Sequence, residues 1–224
     1  MNNEISKISS IIGDPVRSVI LWTLLDNRAY TAIELANIVE TSPQNISIHL
    51  SKLLKADLLT VESQGRHKYY KLLNPEIASV IEGIANLVPK DSQQKVTNKD
   101  SKIKFCRTCY DHLAGKIGVE ITVKLIDEKY IVLDNKAFLV TDKGEQFFTD
   151  FGIDVTVLKK QRRIFAKPCL DWSERKHHFS GSLATAFLNK MFELDWIRRI
   201  DNSRAVLITA NGQKGLYNKL KLVV

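Results

Sequence analysis

Two sets of side chains in this sequence have the types and spacing to do chemistry. In SPQNISIHLSKLLK, from Ser42 to Lys55, residues Gln44, Asn45, Ile48, Ser51, Lys52 and Lys55 fall on one side of a helix at about 100° per residue, while Ile46, Leu50, Leu53 and Leu54 fall on the other. Gln and Asn can pair bidentately with adenine in a major groove, a lone exposed Ile can touch a thymine methyl, and Ser and Lys can hold phosphates. A plain solvated helix face would carry the same residue types. The second set is built on sulfur. Cys106 and Cys109 form the C-x-x-C of CRTC, a spacing suited to redox cycling or to half of a zinc site, with Cys109 expected where a helix dipole would lower its pKa. Zinc would need further ligands. Cys169, His112, His177 and His178 are available, but no second close C-x-x-C or C-x-x-H pair anchors them, so no metal is assigned. Cys106, Cys109, Cys169 and His112 stand as a candidate sensing set, with small buried hydrophobes as the alternative reading of the cysteines.

The elements that must position the first set are well punctuated. In GDPVRSVILWTLLDN, Asp14 can cap a helix whose next residue, Pro15, has no N–H to leave unsatisfied; Val16, Val19, Ile20 and Leu24 then recur at helical spacing. TAIELANIVE opens with Thr31 and Glu34 at capping-box spacing, which starts a second helix. After a break at Glu40 and Thr41, Ser42 caps and Pro43 begins the third, so the pair forms a helix-turn-helix. Beyond it, alternation on either side of SQG in LLTVESQGRHKYYKLL reads as a hairpin turning at Gly65, with Arg66, His67 and Lys68 crowding its tip. A basic hairpin directly after such a helix is the wing of a winged helix, and Arg66 can enter a minor groove or meet phosphate.

Composition agrees with a polyanionic partner without requiring one. The chain has 224 residues, 44% apolar and 26% charged, with 33 Lys+Arg against 25 Asp+Glu and a formal net charge of +8. No apolar run approaches a membrane span, MNNEISKISS lacks the features of a secretion signal, and three cysteines do not suggest a disulfide scaffold; the expectation is a cytoplasmic protein without membrane contact.

Residues 8 to 88 resemble the ArsR family of bacterial winged-helix transcriptional regulators, on the strength of IGDPVRSVILWTLL, TAIELANIVE, SPQNISIHLSKLLKADLL and GRHKYYKL. The resemblance implies a dimeric DNA-binding repressor in which the helix from Ser42 reads DNA. It makes Gln44, Asn45, Ser47, His49 and Arg66 contacts, with Ser47 and His49 at the edges of the polar face. The family's metal-binding patterns are missing, since ELANIVE has no cysteine and NPEIASVIEGIANLV no histidine. Ile77, Val80, Ile81, Ile84 and Val88 line one face of that last helix, and Ile5, Ile8 and Ile12 make a similar stripe. Either stripe alone could close the domain's own core. Together they fit a dimer seam, which would set two reading helices roughly 34 Å apart on a palindromic operator.

From Val88 the sequence turns polar and lysine-rich, giving a division into a winged helix-turn-helix at 1–88, a linker at 89–104 and a sensing or dimerising domain at 105–224. The last part contains a degenerate internal repeat. CYDHLAGKIG is echoed by CLDWSERKHHFSGSL, and LDNKAFLVTDKGEQFF by IDNSRAVLITANGQKGL. Each copy reads as a helix, marked by Leu113, Ile117, Ile121 and Leu125 or by Leu183, Phe187 and Met191, then a hairpin turning at Asp-Asn and a short helix from Thr141 or Thr209. If the copies are related by a pseudo-twofold, Cys109 matches Cys169 and Asp111 matches Asp171, and the pairs could meet across one pocket; three thiols there would suit a soft trivalent ion such as arsenite. Trp172 and Trp196 read as core residues, and Lys159, Lys160, Arg162, Arg163 and Lys167 as a solvated face. The fold class expected is mainly α with small β-hairpins, a winged helix-turn-helix followed by two degenerate winged-helix-like repeats. The function expected is a sequence-specific DNA-binding regulator, a homodimeric repressor released by a thiol redox, metal or small-molecule effector, with no cofactor and no enzymatic activity. A thiol oxidoreductase using Cys106 and Cys109, or an effector-free architectural DNA binder, are the alternatives.

Overall fold

The computed structural model describes residues 2–88, 98–201 and 203–224. The chain divides into two compact units, residues 1–82 and 83–224. It is built of helices and small antiparallel hairpins.

In the first unit, helix α1 (Asn2–Ile12) leads into α2 (Pro15–Thr23), capped by Asp14, which accepts the Arg17 backbone N–H at 3.0 Å. Arg17 is itself buried, because its guanidinium donates to the Ser10 and Ile11 carbonyls that α1 leaves without partners at its C-terminal end. A short 3-10 turn, Leu24–Asp26, ends α2, so that Ile20, Leu21, Leu24 and Leu25 supply its core face while Val19, expected there, is exposed. Strand β1 (Tyr30–Thr31) precedes α3 (Ala32–Ile38), whose capping box between Thr31 and Glu34 is complete. Helix α4 (Pro43–Lys55) follows, then β2 (Leu59–Gln64) and β3 (His67–Leu72), and β1-β3-β2 form one antiparallel sheet. Helix α5 (Pro75–Ala85) closes this part of the chain.

Residues 89–97 of the expected linker lie outside the described residues, but its remainder is not an open linker: helix α6 spans Asn98–Phe105. The second unit then runs twice through hairpin, helix, hairpin, helix. The first passage is β4 (Arg107–Cys109), β5 (His112–Ala114), α7 (Gly115–Asp127), β6 (Ile131–Asp134), β7 (Ala137–Val140) and α8 (Asp142–Asp150). After α9 (Val155–Lys159) the second passage is β8 (Lys167–Leu170), β9 (His177–Ser180), α10 (Ser182–Glu193), β10 (Ile197–Arg199), β11 (Val206–Ile208) and α11 (Ala210–Leu220). The leading hairpin of each passage is not anticipated by the sequence reading, which runs the first helix back through Leu113; that residue lies in β5, and the helix begins at Gly115. Asn135, in the first Asp-Asn turn, takes a left-handed φ of 53° between Asp134 and Ala137; Asn202, in the second, lies outside the described residues.

The two trailing hairpins join their helices in the same way. Thr141 caps α8 and Thr209 caps α11; each hydroxyl accepts a glycine N–H, Gly144 or Gly212, at 3.0 Å, and each donates back to a carbonyl preceding its hairpin, Lys129 or Asp195. A Cβ on Gly144 would stand 1.9 Å from the Tyr130 carbonyl oxygen and one on Gly212 2.0 Å from that of Trp196, so only glycine admits the approach. One apolar core serves both passages, with Phe148, Phe151, Phe179, Phe187 and Trp196 packed edge-to-face or stacked at its centre.

Candidate DNA interface and a cysteine–histidine cluster

Helix α4 begins where Ser42 Oγ accepts the Asn45 backbone N–H at 3.2 Å, and Pro43 occupies the first turn without losing a hydrogen bond. Ile46, Leu50 and Leu53 are buried beneath it. Gln44, Asn45, Ser47, Ile48, Ser51, Lys52 and Lys55 are exposed together, Ile48 at 54%, so an apolar side chain stands in water amid polar ones. Asn45 Nδ2 donates to Thr41 Oγ1 at 2.8 Å, and Ser47 Oγ donates to the Pro43 carbonyl at 2.9 Å. His49 departs from the expectation of an edge contact. It is buried, with Nδ1 3.4 Å from Asp14 Oδ1, because it sits one turn from Ile46 and Leu53 on the inward face. Beyond α4, Gln64 pairs with His67, leaving a two-residue turn of Gly65, at φ +59°, and Arg66; Arg66 and the first residues of β3, His67 and Lys68, are exposed.

In the second unit the leading hairpins bring sulfur and imidazole together. Cys109 faces His112 across β4–β5, and Cys169 faces His178 across β8–β9. One ligand atom from each of these four residues lies within 4.8 Å of every other. His112 Nε2 is 3.0 Å from His178 Nε2, while the opposite ring nitrogens face carboxylates: His112 Nδ1 is 3.2 Å from Asp111 and His178 Nδ1 is 3.2 Å from Asp171. Each carboxylate is in turn paired. Arg163 meets Asp111 at 2.5 Å, and the fully buried Arg107 meets Asp171 at 3.0 Å with its guanidinium over the Trp172 ring. Asp171 also accepts the Gly115 N–H at 2.7 Å and the Ser173 hydroxyl, which fixes it between the two hairpins. Burial works to raise the Asp111 carboxyl, yet His112 and Arg163 hold it at about 2; Asp171 lies further below the usual carboxylate range, burial being outweighed by His178 and Arg107. Burial works to lower His112, but Cys109 and Asp111 beside it raise it to about 9.

A helix-turn-helix domain model matches residues 12–62, which run from the end of α1 into β2. Over 226 residues, covering 100% of both chains, the sequence is 43% identical to the HTH-type transcriptional regulator YdfF of Bacillus subtilis (strain 168). The chain belongs to the HTH-type transcriptional regulators. Among solved structures, reduced HlyU from Vibrio cholerae N16961 matches over 40% of this chain and 93% of its own, at 21% identity and a TM-score of 0.36. NolR from Sinorhizobium fredii matches over 38% and 85%, at 23% identity and a TM-score of 0.36.

This regulator binds DNA; the exposed side chains on α4 and at the β2–β3 tip are of types that pair with base edges or phosphates. Among the described residues no single helix is long and apolar enough to cross a membrane. The CRTC motif does not make a redox pair here. Arg107 and Thr108 are extended, which sets the Cys106 and Cys109 Cα atoms about 10 Å apart, beyond the roughly 7 Å that a disulfide tolerates. Cys106 packs into the core with its thiol pushed up to about 12 by burial, whereas Cys109 lies on a strand of the cluster and not at a helix N-terminus. His178 was missing from the candidate sensing set. Cys109-Tyr110-Asp111-His112 is itself a C-x-x-H spacing, and its echo around Cys169 was the signal available for it.

Proposed function

We propose that the regulator binds a palindromic operator as a homodimer, with α4 in the major groove and the wing tip on the flanking backbone, and represses until its second unit takes an effector. The observation that carries this reading is the exposed set on α4, where Gln44, Asn45, Ser47, Ile48, Ser51 and Lys52 share one face above a buried Ile46, Leu50 and Leu53. Gln44 and Asn45 would read base edges, Ile48 a thymine methyl, and Ser42, Ser47, Ser51 and Lys52 the phosphates at the groove walls, with Arg66, His67 and Lys68 alongside. His49 is left out of this set, since its ring is buried on the inward side of α4, with Nδ1 3.4 Å from Asp14. Dimerisation is supported by apolar side chains that the single chain leaves exposed, Ile5 and Ile8 on α1 and Val80 and Ile84 on α5.

The test is operator selection from genomic fragments, followed by affinity measurement at several salt concentrations. Asn45→Ala is expected to relax preference at one base position in each half-site by about 1–3 kcal/mol. Lys52→Ala is expected to weaken every site about equally and to lower the salt slope by about 1. If both variants match the parent, α4 does not read DNA.

A further inference from the structure

We propose that Cys109, His112, Cys169 and His178 form a closed tetrahedral site for one zinc ion, which clasps the β4–β5 hairpin to the β8–β9 hairpin. The site stands on residues different from those of the DNA interface, and neither reading depends on the other.

Donor type, spacing and orientation all favour such an ion. Zinc in Cys2His2 sites takes sulfur at about 2.3 Å and nitrogen at about 2.0–2.1 Å, which places the donors of a tetrahedron roughly 3.3–3.8 Å from one another. The four donors here lie within 4.8 Å of each other, and the two Nε2 atoms are 3.0 Å apart. Small side-chain rotations separate the facing nitrogens around a cation. His112 Nδ1 is hydrogen-bonded to Asp111 and His178 Nδ1 stands 3.2 Å from Asp171, so each ring turns its Nε2 toward the other and toward the sulfurs. A carboxylate behind each imidazole is also the arrangement that orients histidine for zinc and makes it more basic.

The charges balance as well. Two thiolates neutralise one divalent ion, their protons leaving to solvent on binding, while Asp111 with Arg163 and Asp171 with Arg107 form neutral pairs behind the ligands. A trivalent metalloid held by three thiols is not favoured, because Cys106 is in the apolar core and two imidazoles complete the cluster. With four protein ligands the site has no open position for a substrate, so the ion holds structure and does not activate water.

The experiment uses the full-length protein, stripped with a chelator and kept reduced with a phosphine. Zinc is titrated in competition with a chromophoric chelator, and cobalt is titrated in parallel. The expected result is one ion per chain, intense visible bands of tetrahedral cobalt with a thiolate charge-transfer band, and a higher thermal midpoint in the loaded protein. Asp111→Asn should weaken binding by about 10–100-fold. Cys169→Ser, at a half-buried position, and His178→Gln should weaken it further, and Cys106→Ala should leave stoichiometry and spectrum unchanged. Wild-type protein that takes up no stoichiometric ion, or gives an octahedral cobalt spectrum, overturns the proposal whatever the variants do. So does uptake indifferent to both Cys169→Ser and His178→Gln.

Discussion

Asp14 couples two parts of the first unit through one carboxylate. Oδ1 accepts the Arg17 N–H that opens α2 and stands 3.4 Å from His49 on the inward side of α4, while Oδ2 meets the Arg17 guanidinium at 3.3 Å. Removing it by Asp14→Ala is expected to destabilise the protein by about 1–2 kcal/mol as a lost cap, and to weaken operator binding by loosening the seat of α4. Urea unfolding and a DNA titration check the two effects, and unchanged affinity in a destabilised variant would detach Asp14 from the interface. The carboxyl is held below its ordinary value, chiefly by the Arg17 amide, so its contribution is fully present above the unfolded carboxylate pKa and disappears as pH falls through the lowered one. The cap was legible in the sequence because Asp-Pro announces itself. The role of His49 was not, since a histidine at the margin of an amphipathic helix fits either face until a partner such as Asp14 is known. His178 was hidden for the same reason, its neighbour His112 being remote in the chain.

Among the elements, those with long periods were readable and those without were not. α4 shows three inward apolar residues and a capping serine, enough to fix its phase; β4, β5, β8 and β9 have three or four residues each, too few for alternation to register. Leu113 sits at helical spacing from Ile117, which drew the strand into the helix. The wing was read correctly because Gly65 marks its turn. There the backbone needs φ +59°, although a Cβ would meet no atom within 4 Å. Gly65→Ala should therefore cost only the backbone strain, about 1 kcal/mol, and should weaken binding to all DNA sequences alike by displacing Arg66. Thermal unfolding beside a non-specific DNA titration tests this; a loss confined to one operator sequence would mean that the tip reads bases.

For the molecule as a whole, a formal charge of +8 favours DNA approach, whereas the proposed reading of a palindrome would need a dimer. Ile8→Asp with Val80→Asp puts charge on both exposed apolar stripes, and sedimentation should show a monomer whose operator affinity falls by more than about tenfold. A dimer that persists would place the seam elsewhere. Sequence reading could find these stripes but could not tell which of their residues a single chain leaves exposed, because periodicity is the same for a covered face and an open one; Ile81, in the same stripe as Val80 and Ile84, is buried. The recurring joint of the second unit has a different kind of consequence. Thr141 with Gly144 and Thr209 with Gly212 leave no room for any other residue at the glycines, so this short signature should outlast general divergence. Distant kin of this regulator should be recognisable by two copies of Thr-x-x-Gly, each behind a two-stranded ribbon, long after the rest of their sequences have drifted apart.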